Sequence, residues 1–411
     1  MKILVLNSGS SSQKSCVYEI GDVLPAYPPE PAWEGKIEWK DGEAEIRLRN
    51  LQGATLKESL KVASHAAATE RLLDMLSSGK VPAVATTSEI SIVGHRIVNG
   101  GHEYTEPTLI TPEVKSAISR MSALAPLHNR AELEGIELVG EKLGTVRQIA
   151  VFDTGFHAQL PNAAAVYPGP YEWFDQGIRR FGFHGINHQY CAGRAAQLLG
   201  KDLRELKLVT CHLGNGCSLA AIRGGKSIDT TMGFTPLEGL MMGTRSGSID
   251  PGIMTFLIRQ GQYTAQTLDE VLNKKSGLLG ISGISGDMRE IEVAIKNGHA
   301  RAKLAFDIFI HRLSAGIGAM IAVLGGIDAL IFSAGIGENS SEVRAAACSN
   351  FEYLRLKLDL VKNQDCSQDG DVAKVDSAVR VLVIRAQEDW AIARDCWKIA
   401  HTVPKNLASA N

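Results

Sequence analysis

The sequence predicts an α/β protein with two domains, and three observations support this fold class. The chain has 411 residues, which is long for a single hydrophobic core. Patterns typical of strands alternate with patterns typical of helices along most of its length. A strand, a polar turn and a second strand occur twice, at residues 2–20 and 208–222. This repetition predicts a duplicated architecture with a ligand cleft between the two halves.

The composition excludes several classes of protein. With 45% hydrophobic and 21% charged residues the chain is typical of soluble globular proteins, and its net charge of −2 argues against a nucleic-acid or membrane-surface binder. Seven cysteines without a CxxC pair suit reduced thiols. The apolar run 3–6 is too short for a signal peptide, and the run 317–332 carries two adjacent glycines and Asp328, which do not suit a membrane span. We therefore expect a soluble, cytoplasmic protein.

Turn signals separate the elements of the first half. The opening strand meets a polar turn from Asn7 to Lys14, whose hydroxyls suit a phosphate, although a solvated turn would show the same residues. Residues 21–35 are rich in proline and predict an extended surface insertion. The further predicted elements are a hairpin turning at Asp41-Gly42, a helix at 65–78, a strand broken at Gly100-Gly101, a helix stopping at Pro126, an amphipathic helix after it and a strand ending at Asp153.

Two charged residues follow predicted strands at their carboxyl ends. Arg96 and Asp153 both have this placement, which in open α/β sheets lines the ligand crevice. They are therefore candidate site residues. For Arg96, a plain buried ion pair is the alternative.

The stretch from Leu206 to Pro251 begins with the second hairpin and continues as a glycine-rich segment with little helical or strand period. After its hairpin it carries hydroxyls, six glycines, Arg245 and Asp250, which together offer backbone N–H groups and a fixed cation to a phosphate. A long irregular loop is the alternative. A P-loop is excluded because Ala220 stands at its first glycine, and a GxGxxG fingerprint fails at Leu219.

The second half offers further candidate sites. His184 and His188 have the spacing of two zinc ligands, but without an adjacent Glu an anion-binding or donor role near Arg179 and Arg180 suits His184 better. The other predicted elements are helices at 252–262 and 264–274, a glycine loop at 277–286, a long helix at about 290–324, a strand at 328–333 opening into a glycine-rich nucleotide cradle, a strand at 379–384 and a last helix starting near Glu388 and Asp389.

Eleven segments in order along nearly the whole chain resemble the acetate kinase family. They are MKILVLNSGSSSQK, GHRIVNGG, APLHN, VFDTGFH, RRFGFHG, HLGNG, DTTMGFTPLEGLMMGTRSG, SGLLGISG, GDMRE, FSAGIGEN and EDWAIARD. The resemblance implies a duplicated actin-like (ribonuclease H-like) fold, with an active-site cleft between two domains. It implies a first domain at 1–152 completed by a helix at 390–411, and a second at 153–389 with the nucleotide site and a dimer interface. It also implies a homodimer, Mg²⁺ or Mn²⁺, ATP/ADP, and reversible formation of acetyl phosphate from acetate by direct in-line transfer.

The resemblance also assigns roles to individual residues. The catalytic residues would be Asp153, His184, Arg245 and Arg96, and the acetate site would add Val98, Leu127, His128, Phe183 and Pro236. The metal would lie near Asn7 and Glu388. Phosphate and nucleotide contacts would come from Ser10, Ser12, Lys14, His212, Leu213, Gly214, Asn215, Gly216, Asp287, Met288, Arg289, Gly335, Ile336, Gly337, Glu338 and Asn339. His128 could instead be a satisfied loop histidine.

The sequence departs from the family pattern at a few positions, none of them assigned to the chemistry. They are Asn99, Arg130, Ile186, Asn187, Ser248 and Gln387. Ser248 follows Arg245 closely, so the loss of an orienting Asp there could lower the rate. Two functional alternatives remain open at this point, a propionate or butyrate kinase and an actin-like or Hsp70-like ATPase.

Phosphoryl transfer to a carboxylate requires arginines, a histidine and a metal of the kind assigned above. The reaction depends on positioning and charge neutralisation. A carboxylate nucleophile, with a pKa of about 4, is already ionised at neutral pH and needs no general base. Asp153 is therefore expected to orient a metal, a water or an arginine rather than to remove a proton.

Overall fold

Two compact units make up the computed structural model of the protein, which describes residues 1–9, 12–40, 43–61, 64–121 and 129–402. The first unit is Met1–Gly155 with Gln387–Asn411, and the second is Phe156–Ala386. Asp153 and Glu388, which the expected boundaries put in the second domain, belong to the first unit. Asp153 stays there because its backbone N–H donates to the carbonyl of Ile97 at 2.8 Å, and Glu388 begins the helix that covers the first sheet.

The first unit is an eight-stranded sheet with helices on its faces. Its strands are β1 (Lys2–Ser8), β2 (Ser12–Glu19), β3 (Trp33–Lys40), β4 (Glu43–Asn50), β5 (Thr55–Lys61), β6 (Ile90–Ile97), β7 (Thr108–Leu109) and β8 (Arg147–Phe152). Its first helices are α1 (His65–Asp74), α2 (Pro112–Met121) and α3 (Asn129–Leu143). The strand order is β5-β4-β3-β2-β1-β6-β8-β7. The proline-rich stretch is irregular only up to residue 32, because Trp33 is buried and already belongs to β3.

The second unit is a six-stranded sheet. Its strands are β9 (Lys207–Leu213), β10 (Cys217–Arg223), β11 (Lys226–Thr230), β12 (Ala329–Ser333), β13 (Gly370–Asp371) and β14 (Arg380–Val383), in the order β11-β10-β9-β12-β14-β13. Its helices are α4 (Asn162–Ala165), α5 (Glu172–Asp175), α6 (Gly185–Leu199), α7 (Pro251–Arg259), α8 (Ala265–Lys274), α9 (Gly277–Ser282), α10 (Met288–Lys296), α11 (Ala300–Leu324), α12 (Ala334–Asn339), α13 (Ser341–Ser349) and α14 (Leu360–Asp365). The chain then returns to the first unit as α15 (Glu388–Thr402).

Each of the two sheets contains the same arrangement of five strands. In the first unit β1 pairs antiparallel with β2, β2 with β3, and β1 pairs parallel with β6, which is followed by β8. In the second unit β9, β10, β11, β12 and β14 repeat the same directions in the same order. Both turn-linked hairpins predicted from the sequence are present, and the predicted duplication is confirmed. The first sheet adds β4, β5 and β7 at its edges, and the second adds β13.

The helix α15 packs closely on the first sheet. A Cβ atom added at Gly94 of β6 would lie 2.6 Å from both the Cys396 Sγ and the Ile392 Cγ2 atoms of α15. Glycine at this position therefore lets the helix reach the sheet. On the opposite face, Leu4 and Leu6 of β1 join a buried cluster with residues of α1 and α3. These two layers position the carboxyl end of β1 beside the start of α15.

Two predictions for the second unit are wrong in detail. The expected single helix at 290–324 is α10 and α11, because Gly298 takes a φ of +80° and the His299 side chain accepts from the Ala302 N–H to start a new helix. The expected glycine loop at 277–286 contains the short helix α9.

Within the described residues, α11 is the single helix long and apolar enough to cross a membrane by length and composition alone. Core helices of soluble proteins pass the same test. Phe309, Leu313 and Ile317 of α11 are buried, and the helix packs against β10. One such helix does not indicate a membrane protein.

Candidate functional site

In the first unit, the end of β1 meets the start of α15. The side-chain amide of Asn7 donates to the Glu388 carboxylate at 3.2 Å and to the Asp389 carboxylate at 2.9 Å. Lys14, on β2, lies 2.6 Å from the other Asp389 oxygen. Asp389 was predicted at the start of the last helix but was assigned no role. In the structure it is the partner of both Asn7 and Lys14.

Arg96 and Asp153 form a buried pair at the ends of neighbouring parallel strands. Their Nη2 and Oδ2 atoms lie 2.7 Å apart, and Arg96 Nη1 donates to the Ser8 carbonyl at 3.1 Å. Burial alone would lower the pKa of Arg96, but the charges of Asp153 and Glu388 outweigh it, and the pKa is raised. Arg96 Nε is buried and has no acceptor among the described residues. The buried ion pair that the sequence left as the alternative for Arg96 is thus present.

Glu132, on α3, is a buried acid that was not predicted as a site residue. Both of its carboxylate oxygens accept from the Val98 backbone N–H, at 3.1 and 3.2 Å. Burial raises its pKa to about 8, against the opposing effects of Arg96 and of the Val98 hydrogen bond. The available signal was its spacing to the apolar Ile136 and Val139, which puts an acid on the buried face of an amphipathic helix.

Negative charge is in excess around these residues. The acidic groups of Asp153, Glu388 and Asp389 outnumber the two cations of Arg96 and Lys14, and Glu132 adds a fourth acid whose pKa is raised to about 8. Burial raises the pKa of Glu388, Arg96 lowers it, and the charge of Asp153 raises it further. Such an excess suits an added divalent cation.

In the second unit, His184 precedes α6 in a strained conformation. Its φ of 58° and ψ of 23° lie in the left-handed region, which is uncommon for a residue with a side chain and is found disproportionately at functional sites. Its ring stacks on that of His212, with centroids 3.9 Å apart and an interplanar angle of 12°. Its Nδ1 atom lies 2.9 Å from the Ser218 hydroxyl.

The structure brings His184 and Arg245 together over Gly216. A Cβ atom added at Gly216 would lie 3.4 Å from His184 Nε2 and 3.5 Å from Arg245 Nη1. Arg245 Nη1 donates to the Pro236 carbonyl at 3.2 Å. Burial lowers the pKa of Arg245, and Cys217 raises it in part. An imidazole and a guanidinium therefore share one edge of the hairpin turn.

A pocket of about 530 Å³ lies beside this turn. Eight residues predicted for the nucleotide line it: Gly214, Asn215, Asp287, Met288, Arg289, Gly335, Ile336 and Asn339. Gly286, Glu292 and Ser340 also line it and were not predicted, whereas His212, Leu213, Gly216, Gly337 and Glu338 are not among its lining residues. Glu338 has a structural reason to lie elsewhere. One of its oxygens accepts from the backbone N–H groups of Ala334 and Ala386, both at 2.8 Å.

The residues expected at the acetate site are only partly described. Val98 in the first unit and Phe183 in the second are buried, and Pro236 contacts Arg245 through its carbonyl. Ser10, Leu127 and His128 lie outside the described residues, as does the side chain of Arg130. Ser12 begins β2, and its carbonyl accepts from the Gly9 N–H at 2.8 Å.

Two side chains near His184 have structural partners. Arg180 donates to the carbonyls of Thr230, Thr231 and Met232 and pairs with Glu238 at 2.7 Å, which makes it a link between loops and not an anion site. His188 uses both ring nitrogens on hydroxyl groups, each at 2.7 Å, which disfavours the zinc alternative.

The departures from the family pattern also have local partners. Ser248 accepts from the Gly239 N–H at 3.0 Å, so it holds the loop that carries Arg245. Asn99 closes a turn by accepting from the Gly101 N–H at 2.8 Å. Asn187 contacts His212 and Ser333, and Ile186 is buried at the start of α6. The Gln387 carbonyl accepts from the Ala391 N–H.

The repeated five-strand core and the glycine-lined pocket define the actin-like class of α/β proteins. Within that class, residues 2–394 match the model of the Acetokinase family, and the chain belongs to this family. It is therefore a kinase that transfers phosphate to a carboxylate.

Known proteins of this family are similar over their whole length. An acetate kinase from a Cyanothece species is 59% identical over 404 residues, which cover 98% of this chain and 99% of that protein. The crystal structure of Porphyromonas gingivalis acetate kinase superposes with a TM-score of 0.89 at 39% identity, covering 97% of this chain and 99% of that one. A propionate kinase from Francisella tularensis gives a TM-score of 0.87 at 35% identity, with the same coverage.

Proposed function

We propose that the chain catalyses reversible phosphoryl transfer between ATP and acetate, giving acetyl phosphate and ADP by direct in-line transfer. An acetate oxygen forms the new bond to the γ-phosphorus while the bond to the ADP oxygen breaks. The observation that carries the proposal is the family match over residues 2–394, together with 59% identity to a protein named acetate kinase. The likeness to a propionate kinase, at 35% identity, is weaker.

Arg96, in the first unit, would bind the carboxylate of the acceptor. Arg96 has a buried Nε without a described acceptor and is held by Asp153 at 2.7 Å, which supports a role in gripping a carboxylate. Asp153 would then orient Arg96, in line with a reaction that needs no general base. Val98, Leu127, His128, Phe183 and Pro236 are the residues we propose around the methyl group.

The second unit would bind the nucleotide and neutralise charge. The pocket of about 530 Å³ is of the size that small-molecule sites have, and its glycines expose backbone N–H groups. His184 and Arg245 lie together at its turn, which supports their action on the transferring phosphoryl group. From the family resemblance we also propose that Ser10, Ser12 and Lys14, which belong to the first unit, contact phosphate oxygens.

We include Mg²⁺ in the proposal because the donors fit it. Asn7 and Glu388 are hydrogen-bonded to each other, offer oxygen ligands and lie where carboxylates outnumber cations. Mg²⁺ usually takes one or two protein oxygens together with waters and phosphates, and within the described residues no group of three or more His, Cys, Asp or Glu side chains is arranged to hold a metal by itself. The ion would supply charge neutralisation at the phosphates, and Asn7 and Glu388 would hold it.

We further propose a cytoplasmic homodimer. On α7, Ile253, Phe256 and Ile258 are 46%, 58% and 43% exposed, which is a concentration of apolar surface on one short helix. Exposed apolar patches of this kind mark interaction sites, and a second copy of the chain is the partner that the family resemblance implies.

A hydroxamate assay with acetate, propionate and butyrate tests the function. Acyl hydroxamate formed with ATP and acetate is the expected result. ATP turnover without acyl phosphate from any of the three acids would instead point to the actin-like ATPase alternative.

A further inference from the structure

A chain of hydrogen bonds leads from the core of the second unit to His184. The Thr210 hydroxyl lies 2.7 Å from His188 Nδ1, and His188 Nε2 lies 2.7 Å from the Ser218 hydroxyl. That hydroxyl is in turn 2.9 Å from His184 Nδ1. Thr210 is on β9, Ser218 on β10, and the two histidines are one helical turn apart at the start of α6.

The inner residues of this series of hydrogen bonds are closed to solvent. Thr210, His188 and Ser218 are each at most 1% exposed. Each hydroxyl proton must therefore find an acceptor inside the protein, because burying it without one costs the desolvation free energy of the group. The hydrogen bonds can run in only two directions, outward to His184 or inward to Thr210.

The Thr210 hydroxyl decides between the two directions. Its single described hydrogen-bond partner is His188 Nδ1. If His188 donated from Nδ1, the buried Thr210 proton would have no acceptor, a penalty of roughly ten- to 100-fold in population. Thr210 therefore donates to His188 Nδ1, His188 Nε2 donates to Ser218, and Ser218 donates to His184 Nδ1.

His188 carries a single ring proton, as this direction requires. Burial lowers its pKa well below the ordinary value, and the neighbouring His157 and His212 lower it further. The ring of His157 is 5.6 Å away, edge-on, and its own Nδ1 is 2.8 Å from the Ser227 hydroxyl. A neutral His188 with an accepting Nδ1 must hold its proton on Nε2.

We infer that Thr210, His188 and Ser218 are positioning residues that hold His184 neutral, with its ring proton on Nε2. This nitrogen is the one that faces Gly216, beside the Arg245 guanidinium. His184 thus presents an N–H donor there.

His212 supports the same protonation state independently. The Asn187 amide nitrogen lies 2.9 Å from His212 Nδ1 and donates to it, which leaves Nε2 as the protonated nitrogen of a neutral ring. His212 stacks on His184 at 3.9 Å, and two imidazolium ions at this distance would repel each other strongly in a part-buried site. The stack therefore favours neutral rings.

The mechanistic consequence rests on the proposed function, although the position of the proton does not. A neutral His184 would donate a hydrogen bond to a phosphoryl oxygen and would not give up a proton. Arg245 would supply the positive charge. The hydrogen-bond chain separates these two tasks.

The test is proton–nitrogen NMR on the full-length protein labelled with isotopic nitrogen in histidine. The His184 signals are assigned by their loss in His184→Gln. We expect Nε2 protonated and Nδ1 unprotonated at neutral pH. A proton on Nδ1, or on both nitrogens, in the unmodified protein would overturn the inference whatever its variants do.

Two variants show that the hydrogen-bond chain is the cause. Ser218→Ala removes the donor to Nδ1 and should allow both ring tautomers, with kcat about ten-fold lower and the KM for ATP little changed. His188→Gln keeps an amide donor for Ser218 and should preserve the wild-type spectrum. An unchanged tautomer in Ser218→Ala contradicts the inference. The expected spectrum without acyl phosphate formation from any carboxylate would overturn only the proposed function.

Discussion

Both oxygens of the Glu132 carboxyl group accept from the backbone N–H of Val98, at 3.1 and 3.2 Å. Val98 follows Arg96 by two residues, just beyond the end of β6. The helix α3 therefore anchors the backbone that carries the arginine. Because Glu132 is 4% exposed, this anchor is a buried acid whose protonation must influence stability.

Glu132→Gln should change how stability depends on pH. The pKa of Glu132 is raised by burial to about 8 in the fold, whereas an unfolded Glu titrates at about 4.3. The folded wild type binds more protons than the unfolded chain between these values, so its unfolding free energy falls as pH rises from about 4 to about 8. The Glu132→Gln variant has no titrating group at this position, so its unfolding free energy does not fall for this reason. Its stability relative to wild type should rise across that window and level off above it.

Urea unfolding of the full-length protein at several pH values measures the effect. Glu141→Gln, at an exposed position of the same helix, is the control and should follow wild type. Parallel stability curves for Glu132→Gln and wild type would mean that the carboxylate stays charged throughout the window.

Much of the fold could be predicted because its signals are local. Both hairpins have runs of apolar residues on either side of a polar turn, and the repeated strand–turn–strand pattern indicates the duplicated sheets. The break between α10 and α11 was missed because apolar spacing continues across it, although Asn297-Gly298 is a turn signal. The unit boundaries were off because Asp153 stays bonded to a strand that ends more than 50 residues earlier, which no local pattern reveals.

Site residues could be predicted from the sequence where a local pattern fixed their position in the fold. Arg96 and Asp153 stand at strand ends, so their proximity followed from parallel pairing. Asp389, Glu132 and Ser218 required the tertiary structure, because each acts on a residue far away in sequence. Glu338 was predicted to contact the nucleotide but does not line the pocket. Its carboxylate instead accepts from the Ala334 backbone N–H of the same glycine-rich segment.

Arg245→Ala should lower kcat by about 10³-fold or more, and raise the KM for ATP far less. A cation on the transferring phosphoryl group acts mainly in the transition state, so its loss appears in kcat. Steady-state kinetics with ATP and acetate measure the split. Arg204→Ala is the matched control, because Arg204 is 85% exposed and pairs only with Asp202 among the described residues. A rate within a few-fold of wild type would remove Arg245 from the chemistry.

Glu388→Ala should weaken the response to Mg²⁺ and nearly abolish turnover. The variant loses a carboxylate that Asn7 holds where a cation is expected, while α15 keeps its packing on the sheet. Mg²⁺ titrations of the rate, with circular dichroism as a check on folding, provide the measurement. Asp395→Ala on the same helix should titrate like wild type. An unchanged Mg²⁺ curve for Glu388→Ala would show that Glu388 is not at the metal.

Phe256→Glu should convert the dimer to monomers. Phe256 is 58% exposed on α7, and a charge there would be buried without a partner in an interface with a second copy. Light scattering after size exclusion gives the mass directly. Tyr353→Glu, at a residue that is 72% exposed, controls for the added charge. If Phe256→Glu keeps the mass of wild type, α7 is not the contact.

Val98 is the residue on which we expect acyl-chain preference to depend. Side chains two apart in an extended segment share a face, and Val98 is the first residue after β6, so we expect it within reach of the methyl group of an acetate held by Arg96. Val98 is buried, and Glu132 fixes its backbone. A valine here would close the pocket around two carbons.

Acetate should therefore exceed propionate in kcat/KM, with butyrate poor, and Val98→Ala should narrow the gap. One methylene in an apolar pocket is worth about 1–3 kcal/mol, or roughly 10- to 200-fold. The gain should appear mostly as a lower KM for propionate, because the added contact forms equally in the ground and transition states. Ile97→Val, which trims a buried neighbour on the opposite face, should leave the ratio unchanged. If the wild type already prefers propionate, or Val98→Ala shifts nothing, Val98 does not line the acyl pocket.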